Sequence, residues 1–152
     1  MQTREKKIRE GARRRRGPLR DAASALERAA AAPVGTGPKW CQRVHTRVEQ
    51  VSATLEDHIV AVEGPSGLWD ELKVDAPRLI HMMDVLKAEH GVLRQMVAQL
   101  LEDVGRIGDK ASKEEIGAVR EKVMALLGAI ARHRQKGADL VYEAYNVDIG
   151  GE

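Results

Sequence analysis

Apolar residues recur along this chain at alternating gaps of three and four, the spacing that places side chains on one face of a helix. The longest such seam runs Ile116, Val119, Val123, Leu126, Ile130, His133, Gly137, Leu140 and Ala144. A second reads Trp40, Val44, Val48, Val51, Leu55, His58 and Val62, in a stretch free of Gly and Pro. A third reads Leu79, Met83, Leu86, His90, Leu93, Val97, Leu100 and Val104. The pattern predicts three long amphipathic helices, and each seam is interrupted by a histidine.

The connections follow from turn chemistry. LRDAASALERAAAA at 19–32 has high helix propensity and stops at Pro33, so it predicts a short first helix with an alanine-rich face. EGPSG at 63–67 breaks the second seam, after which Leu68 to Val74 can form one or two further turns. Asp75 then suits an N-cap, with Pro77 just inside the next helix. Ser112 and Glu115 match a capping box that starts the last helix. Beyond Ala144 the sequence NVDIGGE has no periodicity and is expected to dock across the helices or fray.

Composition sharpens this to an all-α fold. Aromatic residues make up only 3% and Phe is absent, so the core must be aliphatic; 32% charged residues suit long solvated helix faces. The expectation is an antiparallel four-helix up-down bundle, with 152 residues forming one core-bearing domain. The charge is unevenly placed: residues 1–20 hold nine Lys or Arg against two Glu, a net +7, which leaves the rest at −5. This divides the chain into a basic tail at 1–18, expected to be disordered or a frayed helix, and a bundle domain at 19–152.

Arg13, Arg14, Arg15 and Arg16 are candidate contacts to an acidic partner, or else a solvated tail. Without interleaved aromatics, and with an acidic body, nucleic acid is a disfavoured partner. No apolar run reaches membrane-spanning length and no signal-peptide pattern opens the chain, so no membrane association and a cytoplasmic location are expected. Cys41 is alone and reads as a packed or surface thiol.

One histidine in an apolar seam is ordinarily a hydrogen-bonded core residue. Three of five, His58, His90 and His133, each in the seam of a different helix, point instead to a shared site, because inward side chains of facing helices are where bundles hold metals. Three neutral imidazoles with an open position form a sensible site for Fe, Zn or Cu. His45 stands thirteen residues before His58 and points away from it; with Glu49 at i+4 it reads as an exposed polar pair, and His81 reads as a surface residue. The heights are a difficulty: His58 lies much nearer the 64–67 break than His90, and only the 68–77 segment could bring them level.

The segments HIVAVEGPSGLWDEL, KAEHGVL and ARHRQKGADLVYEAYNVDIGG resemble the hemerythrin-like, HHE cation-binding family, over residues 38–151. The resemblance implies an antiparallel four-helix bundle with a non-haem di-iron centre held by histidines and bridging carboxylates. It also implies roles in oxygen binding, or in oxygen, nitric-oxide or iron sensing and storage. By position His58, His90 and His133 match the family's histidines, and Glu63 matches the second acid of its His-x-x-x-Glu-Glu pattern. The chain departs from the pattern at Val62 and Gly137, where the family places carboxylates.

The functional expectation is therefore metal or small-ligand binding, dioxygen included, at a degenerate non-haem iron site of one or two ions, serving sensing or regulation without turnover. The metal ligands expected are His58, Glu63, His90 and His133. The alternative is a metal-free bundle that acts as an interaction or scaffold protein through its basic N-terminal segment, with a protein partner or a second copy of itself. An enzyme is the weakest class, because bridging carboxylates, a nucleophile–base pair and a phosphate-cradling glycine loop are all missing from the pattern.

Overall fold

A computed structural model describes residues 2–107 and 111–150. The described chain is all helical: α1 (Gln2–Ala31), α2 (Gly37–Glu63), α3 (Leu68–Asp75), a 3-10 turn (Pro77–Leu79), α4 (Ile80–Arg106) and α5 (Lys113–Gly150). No described helix is long and apolar enough to cross a membrane. The long helices pack in a closed ring, with α1 against α2 and α5, and α4 against the same two.

The three periodic stretches are the buried faces of α2, α4 and α5. Val44, Val48, Val51, Leu100, Val123, Leu126 and Ile130 are all within about 1% of full burial. At such burial each aliphatic side chain contributes roughly 1.5–3 kcal/mol relative to exposure. The capping box forms in both directions: Ser112 N–H donates to Glu115 Oε1 at 3.0 Å, and Glu115 N–H donates to Ser112 Oγ at 3.1 Å. Arg120 donates to the carbonyls of Ala30 and Ala32 at 2.8 and 3.0 Å, closing the C-terminal end of α1. Its guanidinium also lies 5.5 Å from the Trp40 ring centroid.

The first helix differs from the expectation of a short element starting at Leu19. It begins at Gln2 and runs through Pro18, so the basic segment is helical. Proline in a helix interior removes one backbone bond and costs about 3 kcal/mol. Burial of Ile8 against the apolar cluster that holds Val62 and Trp69 offsets this cost. The side chains of Arg13 to Arg16 lie outside the described residues, so their expected partner contact is untouched by the structure. At the other end, α5 continues past Ala144 to Gly150 where a docking or frayed tail was expected.

Two apolar clusters fill the interior. One spans Leu19 to Ala30, Trp40 to Ile59, Leu93 to Val104 and Ile116 to Ile130. The other joins Ile8, Val62, Leu68, Trp69, Leu72, Ala76, Leu79, Met83, Leu86 and Leu140 to Ala144. The level between them is occupied by His58, His90 and His133, the buried polar residues of the described chain. A layer of imidazoles thus divides the aliphatic core.

The α2–α3 connection sets the level of that layer. Gly64 and Gly67 allow the chain to turn tightly over the end of α2: a Cβ at either would lie 2.4 Å from the Val60 carbonyl oxygen or 2.6 Å from that of Ala61. Helix α3 then packs back against α2 and α5 before α4 begins. This detour absorbs the length by which His90 is set deeper into α4 than His58 is set back from the end of α2.

Candidate metal centre

The three seam histidines converge. One ring nitrogen from each of His58, His90 and His133 lies within 4.8 Å of the other two. The ring centroids are 5.3 Å apart for His58 and His90, 5.5 Å for His58 and His133, and 4.7 Å for His90 and His133. His90 and His133 are 1% and 3% exposed, and His58 is 9% exposed. Convergence of three rings from three rigid helices answers the difficulty over their heights.

Two carboxylates hold two of the rings from outside. His90 Nδ1 lies 2.7 Å from Glu63 Oε2, and His133 Nδ1 lies 3.0 Å from Glu89 Oε1. A carboxylate can only accept, so in each pair Nδ1 carries the hydrogen, and a neutral ring then keeps its lone pair on Nε2. His90 Nε2 is buried and has no hydrogen-bond partner. Such a bare acceptor costs on the order of 1–3 kcal/mol unless something binds it.

The indole of Trp69, from α3, stacks on the other side of His90 with centroids 5.3 Å apart and planes 6° from parallel. His90 is therefore fixed in direction by a stack and an ion-bearing partner together.

Electrostatics favour neutral rings. Burial pushes His90 down to about 3, with further contributions from His133 and Arg94. His133 is also lowered, again by burial first, against the opposing pull of Glu89. Burial pushes Glu89 upward, but hydrogen bonds from Lys136 and His133 outweigh it and hold this carboxyl below its ordinary range. At neutral pH His90 and His133 are thus unprotonated and Glu89 is ionised, the donor state that metal binding requires of these groups.

The donor set can be tested against the metals it would hold. Ligand nitrogens about 2.0–2.1 Å from a tetrahedral ion stand roughly 3.4 Å apart, so the three rings are somewhat more open than ligation demands. Their neutral nitrogen chemistry fits one divalent transition-metal ion, with Glu63 and Glu89 supplying compensating charge from behind the rings. It does not fit two bridged irons. Val62 and Gly137, at i+4 from His58 and His133, offer no carboxylate, and the nearest acids engage Nδ1 atoms instead.

Of the residues expected from sequence, His58, His90 and His133 come together, and Glu63 joins them through His90. His45 pairs with Glu49 at 2.8 Å on the surface, and His81 is exposed, both as expected. Glu89 and Trp69 were not foreseen. Glu89 directly precedes His90, and the turn of about 100° between neighbours aims it toward α5, a signal available only once the neighbour of α4 is known. Compared with protein-family models, curated proteins and solved structures, the chain finds no match.

Proposed function

We propose that this protein binds a single divalent transition-metal ion through His58, His90 and His133, and uses the centre for sensing or regulation rather than turnover. The observation that carries the reading is the meeting of three ring nitrogens within 4.8 Å, from three different helices, inside an otherwise aliphatic core. Glu63 and Glu89 act as partners of ligand imidazoles, fixing tautomer and orientation. Glu63, carried over from the family pattern as a ligand, is read here in that supporting role. The architecture is read as a hemerythrin-like antiparallel four-helix bundle, with iron as the metal the resemblance implies. Replacement of bridging carboxylates by Val62 and Gly137 reduces the centre to one ion and removes the groups oxygen catalysis would need. The open position of a three-imidazole centre leaves room for a small ligand such as dioxygen.

The test is metal analysis of protein purified from iron-supplemented cells, with absorbance in the near-ultraviolet and visible. About one metal ion per chain, lost in His133→Ala, is the expected result. Two ions per chain would overturn the single-ion reading. No metal and no absorbance bands, unchanged in His133→Ala, would leave the metal-free interaction protein. That competing reading draws on the carboxylates that already satisfy one nitrogen each of His90 and His133.

A further inference from the structure

A groove of about 530 Å³ runs between the C-terminal end of α1 and the N-terminal half of α2. Its floor includes Ala25 and Ala29, whose short side chains keep it open, and its walls carry Arg28, Arg43 and Arg47 together with Gln42, Thr46 and Gln50. All six wall residues are exposed, and no carboxylate lines the groove.

The arginines are placed at a cost. Lys39, Arg43 and Arg47 follow at i, i+4 and i+8 along one row of α2. Like charges one turn apart destabilise a helix, by about as much as opposite charges stabilise it. None of these three, nor Arg28, has an acid at three or four positions to either side. Among the described residues no ion pair engages them; Arg47 donates to Gln50 Oε1 at 2.9 Å. Some exposed cations elsewhere are paired with acids, Arg94 with Glu56, Arg106 with Glu102, Lys122 with Asp103 and Lys136 with Glu89. The groove concentrates unneutralised positive charge on a body that is acidic outside its first 20 residues.

We infer that this groove binds a small polyanion bearing an oligophosphate group. Two guanidinium groups from α2 and one from α1 can grip separate phosphoryl groups, each through a planar fork matched to phosphate oxygens. The carboxamides of Gln42 and Gln50 supply neutral donors at the rim. Size and surroundings argue against a long nucleic acid: Lys39 to Arg47 spans roughly 12 Å of helix, no aromatic side chain lines the groove for base stacking, and the acidic body beyond would repel an extended polyanion. The site is independent of the histidine layer, since Arg47 precedes His58 by roughly three turns of α2.

The experiment is calorimetric titration of the full chain with inorganic tripolyphosphate at low ionic strength. Wild type should bind one equivalent saturably. The exposed double substitution Arg43→Gln/Arg47→Gln should weaken binding by about tenfold or more. Arg94→Gln, which removes a neutralised arginine elsewhere on the surface, should leave it unchanged. Circular dichroism checks the double variant's fold; should it fail to fold, Arg28→Gln, on the opposite wall, should produce the same loss. No saturable binding, affinity retained in the groove variants, or an equal loss in Arg94→Gln would overturn the proposal. So would a 20-nucleotide single strand that binds more tightly than tripolyphosphate through the same arginines.

Discussion

His133 and Glu89 stand 44 positions apart in sequence and face each other across the α4–α5 contact, with Nδ1 of the ring 3.0 Å from Oε1 of the carboxylate. The other carboxylate oxygen of Glu89 accepts from Lys136, one turn below His133 on the same helix. Glu89 is thereby held ionised and fixed from two directions. It keeps the hydrogen of His133 on Nδ1, so the neutral ring carries its lone pair on Nε2.

Replacing Glu89 with Gln preserves its shape and removes its charge. Metal affinity should fall by about 10–100-fold, the usual loss when the outer partner of a ligand histidine is changed. Competition against a chelator of known affinity measures it. An unchanged affinity would reduce Glu89 to a packing and ion-pair role.

His90→Leu separates binding from stability. Leucine continues the apolar row of α4, which holds Leu86 and Leu93 about one turn to either side, and it removes a buried nitrogen that has no partner. Glu63, which loses the contact, is 20% exposed and can turn to water. Metal binding should disappear, while urea unfolding in a chelator should show stability unchanged or raised by about 1–2 kcal/mol. A loss of several kcal/mol would mean that His90 is a structural residue first.

The same histidine predicts a pH dependence. Burial lowers His90 from 6.5 to about 3, so between those values the unfolded chain takes up a proton that the folded chain does not. Stability is therefore fully present above about pH 6.5 and declines as pH falls toward 3, with His133 acting in the same direction. Urea midpoints of metal-stripped protein, collected from pH 7 to pH 4, should fall steadily. The profile of His90→Leu should be shallower by up to about 1.4 kcal/mol per pH unit; parallel profiles would contradict the assignment.

Gly137 follows His133 by one turn, and a Cβ there would meet nothing within 4 Å. Gly137→Ala should raise stability by about 0.5–1 kcal/mol through helix propensity alone, with metal content unchanged. Thermal unfolding in chelator, paired with metal analysis, reads both effects. Lost metal in this variant would show that the space beside His133 is used.

What could be read from sequence divides by range. Val44, Val48 and Val51, or Leu93, Val97 and Leu100, declare their buried face through a local period of 3.6, and the three histidines declare themselves by falling in phase with it. The Ser112–Glu115 cap is likewise local. Glu89 sits off the seam, and its role depends on which helix lies beside α4. Trp69 belongs to an eight-residue helix too short to show a period, and its stack on His90 exists only because the glycine turn folds α3 back. The extent of α1 was hidden for another reason. One buried Ile8 among charged residues gives no periodic signal, and Pro18 is unfavourable in a helix interior.

The imidazole layer also governs how the long helices are aligned along their axes. Aliphatic seams repeat every turn or so, and by themselves would tolerate one helix sliding past another by a 5.4 Å step. Three rings at one level forbid that slip. Moving α5 by a turn would pull His133 from Glu89 and press it among leucines, and moving α4 would strip His90 of both Glu63 and Trp69. The layer is therefore a vernier for the whole assembly, and its own contacts set the alignment.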